Sequence, residues 1–165
     1  MPKPVRTAAI LVAAGRGLRA GGGGPKQYRT IGGQTVIFRA MQAFCSHPDV
    51  ATVQPVVNPD DIALFNDAVA SLRHAPPANG GATRQASVHA GLEALAADKP
   101  DIVLIHDAAR PFVTSAVISR AIDAAGRTGA AIPAIPVTDT IKQVGDAGDV
   151  TGTPDRARLR IAQTP

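Results

Sequence analysis

The chain has 165 residues, room for one globular domain, with 45% apolar residues to build a core and only 18% charged residues, too few for a disordered chain. Aromatics make up 3%, a poor stacking platform for single-stranded nucleic acid, and a single cysteine, Cys45, excludes an internal disulfide framework or a cysteine zinc cage. The net charge of +4 is uneven: residues 1–48 hold seven Lys/Arg and no acid, a surplus suited to a compact polyanion.

In chain order, the first expected element is a strand over residues 7–13, continuously apolar as a strand covered on both faces has to be. Lys3 and Arg6 precede it, but the apolar run is short and ends in Gly15-Arg16-Gly17, so a buried strand explains it better than a signal peptide. No apolar run approaches the ~18 residues of a membrane span. The expectation is a cytoplasmic protein that engages neither membrane nor nucleic acid.

Residues 14–33 form a loop rich in glycine, with an unbroken run at 21–24. Residues 36–44 place Val36, Ile37, Ala40, Met41 and Phe44 at helical spacing, and Pro48 closes that segment. Residues 50–57 read as a second strand, in which Pro55 cannot donate to a ladder and suits an edge or irregular site. Asn58-Pro59-Asp60-Asp61 is a helix start, with Asn58 as cap, proline in the first turn and acids at the positive end of the dipole. That helix runs to about residue 71.

After a Pro/Gly-rich loop at 76–81, Ser87 opens a helix over residues 87–97. A third strand covers 102–105, a fourth helix 115–125 and a further strand 130–136. The alternation predicts an α/β fold on a mainly parallel sheet. From residue 137 helical periodicity is lost and Gly-Asp turns appear at 145–146 and 148–149. Residues 140–160 are therefore expected to form a hairpin-like extension with a basic tip of Arg156, Arg158 and Arg160. The abrupt stop at Gln163-Thr164-Pro165 points to a fragment of a longer protein.

Three segments carry chemistry. Gly15-Arg16-Gly17-Leu18-Arg19-Ala20 follows a strand and formally fits the dinucleotide fingerprint, but no acid follows about 20 residues on to take a ribose. Gly24-Pro25-Lys26-Gln27 lacks the glycine before lysine and the hydroxyl after it that a P-loop needs. Glycines let backbone approach a triphosphate closely, and Arg16, Arg19 and Lys26 supply cations for charge that builds at an attacked phosphorus. In His106-Asp107-Ala108-Ala109-Arg110-Pro111, an acid directly after a buried strand sits at the sheet's carboxyl edge, where α/β proteins bind ligands. Asp107 suits Mg²⁺ or a turn cap, Arg110 a phosphate or the same turn, and His106 reads as structural. In Gly80-Gly81-Ala82-Thr83-Arg84-Gln85-Ala86-Ser87, the glycines allow close approach to a planar group, and Ser87 alone would be a plain N-cap.

Together these segments resemble the 2-C-methyl-D-erythritol 4-phosphate cytidylyltransferase family of the non-mevalonate isoprenoid route. Residues 13–19, Pro25-Lys26-Gln27-Tyr28, 80–88 and 106–111 carry the likeness, with Val137-Thr138-Asp139-Thr140-Ile141-Lys142 and Gln163-Thr164-Pro165. The resemblance implies a Rossmann-like nucleotidyltransferase fold, transfer of CMP from CTP to a sugar-alcohol phosphate with release of diphosphate, a magnesium ion, and a homodimer joined through β-arms at about residues 137–160. It further implies that Ala14, Gly15 and Gly17 line the triphosphate and that Arg19 and Lys26 stabilise the transition state. Gly81 and Ser87 would contact the cytidine, and Asp107 would help hold the metal. Arg110, Thr140 and Arg156 would hold the acceptor, the latter two from the partner's arm.

The chain departs from the family at Ala82, where some members carry an acid, and in its glycine run at 21–24. Family members continue past Gln-Thr-Pro with a further lysine and acid, and some are fused to a cyclodiphosphate synthase. The chain is thus expected to be a C-terminally incomplete cytidylyltransferase domain over 1–165. Other readings are a related enzyme such as a ribitol-phosphate cytidylyltransferase, or a nucleotide-binding fragment without activity.

Overall fold

The computed structural model describes residues 5–15 and 24–163. The chain divides into two compact units, Met1–Ala131 and Ile132–Thr164. The first unit runs through β1 (Thr7–Ala13), a 3-10 turn at Lys26–Tyr28, β2 (Thr30–Ile31), β3 (Gln34–Thr35) and α1 (Val36–Cys45). It continues through β4 (Val50–Val57), a 3-10 turn at Pro59–Asp61, α2 (Ile62–Val69) and β5 (Ala78–Asn79). It ends with α3 (Arg84–Ala94), β6 (Ile102–Asp107) and α4 (Ser115–Thr128). The second unit holds β7 (Ala134–Pro136), β8 (Gln143–Val144), β9 (Val150–Gly152), a 3-10 turn at Arg156–Arg158 and β10 (Arg160–Ala162).

The main sheet has the order β5-β4-β1-β6, and every pairing in it is parallel. From β1 the chain steps outward to β4 and β5, then returns to β1's other side as β6. The order reverses at β1, which makes the carboxyl edge there a topological switch point. β1 is apolar from Ala8 to Ala13 and is covered on both faces. Ala9, Leu11 and Ala13 face a cluster with Ile37, Met41 and Phe44 of α1, Phe65 of α2 and Ile118 of α4; Ala8 and Ile10 face Val56 and Leu95 on the side of α3. Pro55 lies in β4 between two neighbours. Val53 and Val57 accept from Ala75 and Gly80 on the β5 side, so by period two Pro55 turns its missing N–H to that side, where β5 pairs only with Val56 and Val57.

Capping decides the helix limits. Thr35 accepts from the Phe38 amide at 3.2 Å and starts α1 as the periodicity predicts. Asn58 caps a 3-10 turn, and α2 ends at Val69, short of residue 71. Ser87 does not open α3: Thr83 does, accepting from Ala86, so the helix covers 84–94 rather than 87–97 and Ser87 lies one turn inside it. α4 extends to Thr128, where Gly129 adopts the left-handed conformation that closes it. At the end of the expected loop at 14–33, β2 pairs with β3 across Gly32 and Gly33.

The expected strand over 130–136 shrinks to Ala134–Pro136 and pairs antiparallel with β10 rather than joining the main sheet. Inside that pair, β8 pairs with β9, giving a nested hairpin whose turn is Gly145–Gly148. The basic residues are not its tip. Arg156 and Arg158 belong to the 3-10 turn between β9 and β10, where the Asp155 side chain accepts from the Ala157 amide.

Two expectations test this packing. α3 approaches the sheet so closely that a Cβ on Gly91 would lie 2.7 Å from Ile10 Cγ2 and 3.0 Å from Val56 Cγ2. Gly91→Ala is therefore expected to destabilise by about 1–3 kcal/mol through overpacking, read as a lower urea midpoint. An unchanged midpoint would mean that the sheet face yields freely. Cys45 packs against the first cluster, and burial pushes its thiol up from 9.0 to about 11. The folded pKa lies above the unfolded one, so the thiol stays protonated as pH rises through 9 and ionises only near 11. At pH 8, alkylation of Cys45 is expected to run about a hundredfold slower in the folded chain than in urea. Equal rates would expose the thiol to solvent.

Candidate active site

The carboxyl ends of β1, β4 and β6 open into a cleft of about 810 Å³. Its floor is Val12 and Ala13 at the end of β1, and its walls come from the segments that follow β1, β4, β5 and β6. Ala14, Gly15, Lys26, Gly81, Ser87, Asp107 and Arg110 all line it. Seven of the residues expected from the sequence thus meet in one place. Gly17 and Arg19 lie outside the described residues. Thr140 and Arg156 lie in the second unit, both exposed, with Arg156 donating to the Thr138 carbonyl at 2.8 Å.

Gln27 holds the first wall. Its carboxamide is buried and donates to the Ala13 carbonyl at 2.8 Å and the Gly15 carbonyl at 3.1 Å, tying the exit of β1 to the turn that carries Lys26. Gly80 makes the second contact between walls: its amide donates to the Val57 carbonyl, and a Cβ there would collide with Ala14 Cβ. Ser87 Oγ accepts from the Gly81 amide at 3.1 Å and donates to the Thr83 carbonyl at 3.0 Å. The buried hydroxyl therefore fixes the Gly80-Gly81 backbone against the first turn of α3.

The third wall is the turn after β6. The Ala108 amide donates to the Val12 carbonyl at 3.0 Å, which carries the ladder one residue past the strand. The His106 ring is buried, tilted against Phe44 at 5.0 Å, with Nε2 bonded to the Arg110 carbonyl at 2.9 Å. It anchors the turn and does not line the cleft. Asp107 stands between two guanidinium groups: Arg84 Nε donates to Oδ1 at 2.9 Å, and Arg110 Nε is 3.8 Å from Oδ2.

Lys26, Arg84 and Arg110 thus face one carboxylate among the residues lining the cleft, leaving it net positive and suited to phosphates. No group of three His, Cys, Asp or Glu is gathered among the described residues. A magnesium ion satisfied mainly by phosphate oxygens and water, with Asp107 as its one carboxylate, fits this donor set. The sequence reading gave no role to Gln27 or Arg84, and none in the site to Asn58, though all line the cleft. Gln27 and Arg84 lie inside quoted motifs, but only the fold reveals that each reaches across the chain, Arg84 to a carboxylate 23 positions away.

The family model for 2-C-methyl-D-erythritol 4-phosphate cytidylyltransferase (IspD) matches residues 7–165. A bifunctional enzyme IspD/IspF of Nitrobacter winogradskyi is 77% identical over the whole chain, which covers 42% of that relative. One of Bradyrhizobium diazoefficiens is 76% identical over the whole chain, again 42% of the relative. The chain therefore spans about two fifths of the length of the curated relatives it matches. Among solved structures, 4-diphosphocytidyl-2C-methyl-D-erythritol synthase of Anaerococcus prevotii superposes with a TM-score of 0.84 at 26% identity, covering 98% of this chain and 69% of that one. The parallel sheet flanked by helices is the Rossmann-like nucleotidyltransferase fold of these neighbours. Among the described residues, no helix is long and apolar enough to cross a membrane.

Proposed function

The chain belongs to the 2-C-methyl-D-erythritol 4-phosphate cytidylyltransferase family, and on that premise we propose that it transfers CMP from CTP to 2-C-methyl-D-erythritol 4-phosphate, releasing diphosphate. The observation that carries this reading is the cleft at the sheet's switch point, where glycine backbone, three cations and one carboxylate converge. An acceptor phosphate oxygen attacks the α-phosphorus of CTP. The new P–O bond forms as the bond to the bridging oxygen of the β-phosphate breaks, and that electron pair leaves on diphosphate.

Ala14, Gly15 and Gly17 bring backbone against the triphosphate, with Gln27 fixing the carbonyls on either side of Ala14. Lys26 and Arg19 meet the negative charge that grows on the α-phosphate oxygens, stabilising that state more than the ground state. Gly81 and Ser87 hold the cytosine ring, and Arg110 grips the acceptor's phosphate. Asp107 would hold a magnesium ion, which would screen the triphosphate's charge and stabilise the diphosphate as it leaves. CTP as substrate and a lone unbridged cysteine suit a cytoplasmic enzyme.

The assay is diphosphate release with CTP and, in turn, 2-C-methyl-D-erythritol 4-phosphate and ribitol 5-phosphate. Release with the first acceptor is expected. Release only with ribitol 5-phosphate would replace the acceptor, and none with either would leave a nucleotide-binding protein.

The active form in this reading is a homodimer in which the second unit of one subunit delivers Thr140 and Arg156 to its partner's cleft. What supports it is the apolar surface of that unit, where Ile132, Ile135, Val144, Val150 and Ile161 are exposed, and the small stability of isolated hairpins in water. Mixing Arg19→Ala and Arg156→Ala proteins is expected to recover activity, because the exchanged dimer contains one intact site. Exchange without recovery would put the arm's action within its own subunit.

A further inference from the structure

The carboxylate of Asp107 is held by an arginine from the neighbouring wall of the cleft. Arg84 Nε donates to Oδ1 at 2.9 Å, while the nearest contact on Oδ2 is Arg110 Nε at 3.8 Å. The Arg84 side chain is half exposed and Asp107 only 28% so, which leaves the arginine free to swing while the carboxylate stays at the end of β6. Arg84 is the first residue of α3, directly after its cap Thr83, and it lines the same cleft as Lys26. A guanidinium and a divalent cation on the same carboxylate repel each other and compete for its negative charge, so each weakens the other's hold.

We propose that Arg84 is an internal cation that occupies Asp107 in the nucleotide-free protein and yields it when a divalent cation arrives on the nucleotide's phosphates. Arg84 is thus a positioning residue: it holds the carboxylate in place and offsets its charge, so that a triphosphate can approach before its metal is seated. The released guanidinium, still at the cleft wall, is then available to a phosphate oxygen. The inference rests on the cytidylyl-transfer reading only in taking CTP as the nucleotide.

The test is calorimetric titration of CTP into the protein, with Mn²⁺ as the probe cation and with EDTA. The quantity read is the ratio of the two dissociation constants, the metal's enhancement of binding. In Arg84→Gln the enhancement is expected to rise about two- to fivefold, the scale of an exposed ion pair, because Mn²⁺ no longer displaces a competitor. With EDTA the same variant is expected to bind CTP more weakly than wild type, since the uncompensated carboxylate repels phosphate. Arg84→Lys, which retains the charge, is expected to keep the wild-type ratio within about twofold. Asp107→Asn marks the floor, with the enhancement lost.

An unchanged ratio in Arg84→Gln, with Asp107→Asn at the floor, overturns the role of Arg84 and leaves the functional reading standing. A ratio that falls in Arg84→Gln also overturns it, since Arg84 would then assist the metal. Wild-type protein that binds no CTP under either condition overturns the functional reading, and the inference with it. Unaltered circular dichroism and thermal midpoint confirm that the variants are folded.

Discussion

Lys26→Ala is expected to lower turnover by about a thousandfold, at the upper end of what one preorganised charge contributes to a transition state. Lys26 begins the 3-10 turn that Gln27 pins beneath the cleft, and its side chain is exposed rather than packed in the core. Its ammonium contributes little to folding, so the thermal midpoint should move by no more than the effect of a surface change of about 0.5 kcal/mol. The two readouts separate chemistry from stability. A variant that keeps near-normal diphosphate release at saturating CTP would remove Lys26 from the reaction. Lys26→Arg should recover only part of the loss, because a planar fork cannot take the place of a compact point charge at the α-phosphate.

Gln27→Leu is expected to damage stability and turnover together. Leucine matches the size of glutamine and removes both amide donors, so the buried Ala13 carbonyl loses its partner and the part-buried Gly15 carbonyl loses its tie to the turn. Unsatisfied buried groups of this kind cost about 1–3 kcal/mol, enough to lower the thermal midpoint by several degrees. The second effect is on geometry. With the tie cut, the exit of β1 and the Lys26 turn move independently, and a displacement of about 1 Å at the reacting atoms lowers turnover about a hundredfold. The expected pattern is a fall in kcat larger than any rise in KM for CTP at a temperature where the variant is fully folded. If kcat survives and only the midpoint falls, Gln27 supports the fold without setting the site.

Much of the first unit is legible in the sequence because burial there follows a simple period. β1 is an apolar run of the length a doubly covered strand needs, β4 is rich in valine, and Val36, Ile37, Ala40, Met41 and Phe44 fall on one side of α1. The residues lining the cleft were also legible, since strand ends followed by glycine, or by an acid and an arginine, mark the carboxyl edge of a parallel sheet. The pattern also suggested phosphate for the cations and a metal for Asp107; the assignment to cytidine and acceptor came from the family likeness.

Tertiary structure decided what local chemistry leaves balanced. Thr83 and Ser87 are both competent caps; Thr83 starts the helix because Ser87 Oγ is spent on the Gly81 amide and the Thr83 carbonyl. Residues 130–133 carry apolar side chains like a strand, yet only Ala134–Pro136 enters a strand pair, and its partner is Arg160–Ala162 rather than the main sheet. Gln27 and Arg84 show the same limit for function. A polar side chain's partner 12 to 23 positions away depends on which strand ends the fold brings side by side, and no period in the sequence encodes that distance.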